Sequence, residues 1–202
     1  MTAWPPQVVL ATRNLKKQKE LQRILSSHGI DTVVQTLADY PDYIDDVVED
    51  AADFEGNALL KARAVHRALG VAAIADDSGL CVDALNGMPG ILSARWAGRH
   101  GDDTANLQLV LNQCKDIPAE RRGAQFVAVV AYVAHDGREF TTRGEMRGHL
   151  FDAPRGDRGF GYDPIFVADG ETATNAELTP ERKDELSHRG KALAHLVSLL
   201  AG

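Results

Sequence analysis

The chain has 202 residues, 44% of them hydrophobic, and carries 29 acidic against 22 basic side chains for a formal net charge of -7. That length suits one large domain or two tightly packed lobes, and folding at this size removes roughly 70% of the unfolded chain's surface from water, so neither disulfides nor a metal are needed for stability. The net negative charge argues against a nucleic-acid polymer or an anionic membrane as partner, and two cysteines without CxxC spacing exclude a disulfide framework and point to a reducing cytoplasm.

Met1-Thr2-Ala3-Trp4-Pro5-Pro6 has no basic stretch followed by an apolar one, so no leader is read there. Gln7 to Thr12 reads as a short buried strand, after which the period changes. Leu21, Ile24 and Leu25 fall at helical spacing among Lys16, Lys17, Lys19, Glu20 and Arg23, with Asn14 as N-cap and a stop near Gly29. Between Asp39 and Glu55 stand eight acids and no Lys or Arg, leaving the rest of the chain at +1; all of these acids but Glu49 read as a solvated face or a lobe edge. Ala58 to Leu69 is rich in helix formers and closed by Gly70. Val71 to Ala75 then reads as a second short strand running straight into Asp76-Asp77-Ser78-Gly79. Two strands thus end in polar clusters, and in open α/β sheets that edge is where ligands bind.

Asn106 to Cys114 reads as a helix, and Gln125 to His135 with Glu139 to Arg143 as an antiparallel hairpin around Asp136-Gly137. The longest apolar run, Phe126 to Ala134, has strand length, too short to span a membrane. Gly148 to Gly161 reads as a loop. Thr179-Pro180 opens a last helix whose amphipathic end is Lys191 to Leu200. The predicted class is α/β with a mixed central sheet and flanking helices, residues 1–202 forming one domain.

Four constellations could carry chemistry. Thr12-Arg13-Asn14-Leu15-Lys16-Lys17 places a helix N-terminus and a mobile cation directly after a strand, which suits phosphate but also describes an ordinary charged helix start. Asp76 and Asp77 follow five apolar residues, so at least one carboxylate sits where water is scarce and needs a cation or a proton. They read as an Mg²⁺ ligand or general base, or equally as a helix cap or Asx turn. Phe160-Gly161-Tyr162-Asp163 offers aromatic faces and an acceptor for a base, or core packing. Lys183 and Ser187-His188-Arg189 lie at helical i,i+4 spacing, able to face one site or simply to be solvated.

Six blocks in order give these pieces a common meaning: Ala11-Thr12-Arg13-Asn14 with Lys17; Phe54 with Asn57-Ala58 and Lys61-Ala62; Ala75-Asp76-Asp77-Ser78-Gly79-Leu80; Pro89-Gly90 with Ser93-Ala94-Arg95; Gly159 to Phe166; and Ala176-Glu177-Leu178 leading to Lys183 and Ser187-His188-Arg189. Over nearly its whole length the chain resembles the inosine triphosphate pyrophosphatase family, which hydrolyses deaminated purine nucleoside triphosphates to the monophosphate and pyrophosphate.

The resemblance implies two lobes with the active site in the cleft between them, Mg²⁺ as cofactor, ITP, dITP and XTP as substrates, a cytoplasmic location and a homodimer. It gives Thr12, Asn14, Lys17 and Lys61 to the triphosphate, with Arg13, Leu15 and Lys16 beside them. Glu49 and Asp77 would bind Mg²⁺, Asp77 would also be general base, and Asp76 would be a supporting acid and second-metal ligand. Phe160, with Gly161 and Tyr162, would take the base, Asp163 its edge, and Lys183, His188 and Arg189 the same pocket, with Ser78 at the nucleotide. Lys and Arg donate only, so Lys183 and Arg189 can satisfy a purine O6 but cannot accept from adenine's amino group. Arg13 stands where many relatives have Gly, and Gly56 replaces a common Glu. A house-cleaning enzyme for modified pyrimidine triphosphates and a nucleotide-binding regulator without turnover are the competing readings.

Overall fold

The computed structural model describes residues 4–42 and 47–201; Met1-Thr2-Ala3 and the acids Asp45 and Asp46 lie outside them. In chain order the regular elements are β1 (Gln7–Leu10), α1 (Leu15–Ser27), β2 (Val33–Thr36), α2 (Phe54–Leu69), β3 (Ala73–Val82), α3 (Asp103–Gln113), β4 (Gly123–Val133), β5 (Glu139–Leu150), β6 (Phe166–Ala168), α4 (Pro180–Leu186) and α5 (His188–Ala201). The strands form a six-stranded sheet in the order β2-β1-β3-β4-β5-β6. β1 runs parallel to β2 and to β3, with Val9 opposite Ala73, whereas β5 and β6 are antiparallel with Gly148 opposite Ala168. The expected mixed sheet with flanking helices is therefore present. Among the described residues no helix is long and apolar enough to cross a membrane.

Local chemistry explains the element ends. Asn14 caps α1 by accepting the amides of Lys16 and Lys17 at 2.9 and 3.3 Å. α2 begins at Phe54, earlier than the expected Ala58, because the Asp53 carboxylate accepts the Gly56 amide at 2.8 Å and opens the helix there. It closes at Gly70, whose φ of 66° costs little without a Cβ. Asp39 completes a capping box with Thr36, and Glu55 accepts the Thr141 hydroxyl at 2.8 Å. Asp39, Asp53 and Glu55 thus make hydrogen bonds, and with Asp42 and Asp50 they are exposed, as a solvated face requires, whereas Glu49 is half-buried.

Three expectations change. β3 does not stop at Ala75 but continues through Asp76-Asp77-Ser78-Gly79 to Val82, and β5 reaches Leu150 inside the expected loop. The last helix is two: Ser187 takes an extended φ, ψ of -64°, 142°, a conformation suited to capping, and separates α4 from α5. Lys183 and Ser187 therefore do not share a helical face.

The chain divides into two compact units, each assembled from separate stretches of sequence: residues 1–77, 128–144 and 189–202 in one, and 78–127 and 145–188 in the other. In the first unit one core packs Leu21, Ile24 and Leu25 of α1 and Leu193 and Leu196 of α5 with Val8, Leu10, Ile74 and Val130. A separate cluster packs Val65 of α2 with Val9, Leu37 and Ala73. Val8 and Leu10 thus leave β1 on one face and Val9 on the other, as a period of two requires. The second unit has its own core of Leu80, Val82, Val110, Phe126, Met146, Ile165 and Phe166.

Candidate functional site

Because β3 is extended through both acids, Asp76 and Asp77 point to opposite faces of the strand. Asp76 shares its face with Ile74, the side of α1 and α5, and Asp77 shares its face with Ala73, the side of α2.

On the α2 side, Lys61 Nζ donates to Asp77 Oδ1 at 2.9 Å and to Glu49 Oε1 at 3.0 Å. Asn57 Nδ2 donates to the other Asp77 oxygen at 3.2 Å. Asn57 and Lys61 are four residues apart on α2, so one helical face presents both donors. Burial pushes the Asp77 carboxyl above its ordinary value and the nearby Glu49 charge adds to this, against the pull of Lys61. Burial opposes the charge on Lys61 too, but Asp77, Asp76 and Glu49 outweigh it and hold the ammonium above its ordinary value. Two carboxylates converging on one cation form a donor set that fits Mg²⁺, which takes one or two protein carboxylates and keeps water or phosphate oxygens in its remaining positions. Among the described residues no group of three or more His, Cys, Asp or Glu gathers as a metal site.

On the α1 side, Lys17 Nζ lies 3.1 Å from each Asp76 oxygen, and Arg189 Nε donates to Asp76 Oδ2 at 3.0 Å. Arg189 also donates to Glu20 Oε2 at 3.1 Å. Burial would raise the Asp76 carboxyl, but Lys17, Arg189 and Lys61 hold it well below the usual carboxylate range. Asp76 is therefore engaged by cations on the face away from Asp77. The adjoining cavity, lined by Lys17, Glu20, Asp76 and Arg189 among apolar residues, measures about 20 Å³, room for about one water.

The remaining phosphate candidates gather where α1 begins. Arg13, Asn14, Leu15 and Lys16 are exposed, and the Thr12 hydroxyl accepts the Asn14 amide at 3.2 Å. The Asn14 cap engages the Lys16 and Lys17 amides, so the side chains rather than those two N–H groups face outward for an anion.

In the second unit Asp163 is a hub. Its Oδ2 accepts the Phe160 amide at 2.8 Å and Lys183 Nζ at 2.7 Å, and its Oδ1 accepts Asn175 Nδ2 at 3.3 Å. Lys183 Nζ stands 5.2 Å from the Phe160 ring centroid, so Asp163 holds an aromatic face and a cation together. Gly161 donates its amide to Asp103 at 2.9 Å. Tyr162 is buried, with its hydroxyl donated to the Ser93 carbonyl at 2.9 Å. His188 is buried and stacks on Phe126 at 5.0 Å with planes 12° apart. Ser78 is half-buried at the start of this unit.

Sequence reasoning passed over Glu20 and any role for Asn57. Glu20 had a legible signal: it lies three residues after Lys17 and four before Ile24, a charge on the buried stripe of an amphipathic helix, which requires a buried partner. Asn57 had one too, standing in the Asn57-Ala58 block on the buried stripe of α2 between Phe54 and Lys61, but its two partners, from a loop and a distant strand, were not legible.

The Ham1 family model matches residues 8–199. The dITP/XTP pyrophosphatase of Mycobacteroides abscessus is 54% identical over 194 residues, covering 96% of this chain and 94% of that protein. The dITP/XTP pyrophosphatase of Nocardia farcinica is likewise 54% identical over 195 residues, covering 96% and 94%. A HAM1 protein from Coxiella burnetii has a solved structure similar to this one, with a TM-score of 0.85, 35% identity and coverage of 98% of this chain and 99% of that one. Matched from its first strand to its last helix, this chain belongs to the Ham1 family.

Proposed function

We propose that this chain hydrolyses deaminated purine nucleoside triphosphates, ITP, dITP and XTP, at the bond between the α- and β-phosphates, releasing the nucleoside monophosphate and pyrophosphate and so cleansing the nucleotide pool. The observation that carries the reading is the Glu49–Lys61–Asp77 arrangement in a chain whose relatives are named dITP/XTP pyrophosphatases.

The chemistry follows from charge. A nucleoside triphosphate is a polyanion, and Lys17 and Lys61 supply two cations toward it, with Thr12, Asn14 and the exposed Arg13, Leu15 and Lys16 at the helix start. Glu49 and Asp77 would hold Mg²⁺, which supplies charge neutralisation and polarises the phosphate oxygens when bound. Asp77 accepts the proton of the water that attacks the α-phosphorus, and the α–β bond breaks in line with pyrophosphate leaving.

Asp76 acts at one remove, keeping Lys17 and Arg189 in place from the opposite face of β3. Phe160 offers the aromatic face for the base. Lys183 commits one donor to Asp163 and keeps two for a purine O6, where adenine's amino group would find donors facing donors. A cysteine count of two without CxxC spacing accords with a reducing cytoplasm, and the family resemblance supports a homodimer, which sedimentation tests.

Turnover of dITP, XTP, dUTP and GTP is compared side by side, with pyrophosphate measured as phosphate after added inorganic pyrophosphatase. Preference for dITP and XTP with dependence on Mg²⁺ is expected; preference for dUTP, or nucleotide binding without pyrophosphate release, overturns the reading. Asp77→Asn should abolish turnover and leave the fold intact, and an active variant overturns Asp77 as base and ligand.

A further inference from the structure

We propose that Asn57 is a positioning residue that fixes the Asp77 carboxylate and the segment bearing Glu49 relative to each other; the proposal rests on Glu49 and Asp77 as the metal-holding pair. Asn57 is fully buried, and its single amide makes two bonds in opposite directions. Nδ2 donates to Asp77 Oδ2 at 3.2 Å, while Oδ1 accepts the backbone amide of Ala51 at 3.0 Å. Lys61 already holds Asp77 Oδ1, so the bond from Asn57 closes the remaining freedom of that carboxylate about its Cβ–Cγ axis.

The other bond acts on the chain. Residues 47–52 form no helix or strand, so no ladder of backbone hydrogen bonds sets where Glu49 stands. The tie at Ala51, two residues along, anchors this segment to the first turn of α2. Gly56 makes room for it: a Cβ there would lie 2.5 Å from the Ala51 Cβ and force the segment away.

Only an amide of this length supplies a donor and an acceptor in a fixed fork without adding charge beside two carboxylates. Aspartate would keep the acceptor for Ala51 but lose the donor for Asp77, and alanine would lose both. Groups that orient metal ligands from behind set affinity as well as geometry.

Mn²⁺ serves as the probe, its free concentration read by electron paramagnetic resonance in the absence of nucleotide, for wild type, Asp77→Asn, Asn57→Ala and Gly56→Ala. Circular dichroism and thermal melting report the fold of each. Asn57→Ala is expected to weaken Mn²⁺ binding roughly tenfold or more, and to lower kcat for dITP while KM at saturating Mg²⁺ stays unchanged. Gly56→Ala keeps the Asn57 side chain and displaces Ala51, so it should weaken Mn²⁺ binding in the same direction, and it carries the test if Asn57→Ala does not fold. Wild-type Mn²⁺ affinity in every folded variant at these two positions overturns the proposal, as does a rise in KM without a fall in kcat. If wild type binds no Mn²⁺, or Asp77→Asn binds it equally well, the metal pair itself is wrong; binding lost in Asp77→Asn alone refutes only the role of Asn57.

Discussion

Replacing Asp76 by Asn removes one charge and little volume from the buried network on the α1 face of β3. In the native protein the carboxylate faces Lys17 and Arg189, with side-chain exposures of 10%, 22% and 11%, and Glu20 behind Arg189 at 9%. Losing one partner of a buried pair costs about 3–5 kcal/mol, because the other charge is left uncompensated. Lys17 can turn toward water and Arg189 keeps Glu20, so the lower end, about 3 kcal/mol, is expected. For a chain of this length each kcal/mol moves the melting temperature by about 2–4 °C, giving a fall of roughly 6–12 °C. The assay is thermal and urea unfolding of wild type and Asp76→Asn in EDTA. Asp76 is held below its ordinary value in the folded state, so its contribution is fully present above an unfolded value of about 3.9 and is lost as pH falls toward the folded one. The gap between the two proteins should stay constant from about pH 5 to 8 and narrow below about pH 4. A loss under about 1 kcal/mol, the scale of an exposed pair, or a gap that widens in acid, would refute the reasoning.

Two further outcomes follow from the packing. Gly148→Ala puts a Cβ onto the Val167 carbonyl oxygen and within 2.8 Å of the Phe166 ring, so the β5–β6 pairing should loosen at a cost of about 1–3 kcal/mol. Faster amide exchange across β6 than in wild type reports it, and an unchanged melting curve with unchanged exchange counts against the clash. Arg63→Ala removes a bidentate contact to Glu139 at 2.7 Å, yet the two side chains are 43% and 35% exposed, so the loss should stay below about 1 kcal/mol despite the geometry. Unfolding in urea at low and high salt checks this, and a larger loss at both would show that the pair is shielded from solvent.

The amino-acid sequence by itself determined what depends on near neighbours. The Asn14 cap, the Gly70 stop and the hairpin turn at Asp136-Gly137, where Gly137 takes a φ of 82°, are each settled by a few adjacent side chains and backbone groups. The ordered blocks likewise brought out the family, since their spacing survives without any knowledge of contacts. The tertiary structure alone decided where the charges go. A strand that runs through Asp76-Asp77 sends the two carboxylates to opposite faces, and it is tolerated because Lys17 and Arg189 meet one acid and Lys61 and Asn57 the other. Those partners lie up to 113 residues away, beyond the reach of any local pattern. Tyr162 and Asp163 show the same limit: adjacent to Phe160 in sequence, one is buried with its hydroxyl on Ser93 and the other is occupied by three donors. The sequence offered candidate residues for the chemistry, and tertiary packing assigned the charged ones their partners, because burial makes an unpaired charge or polar atom too costly to leave where local preference alone would put it.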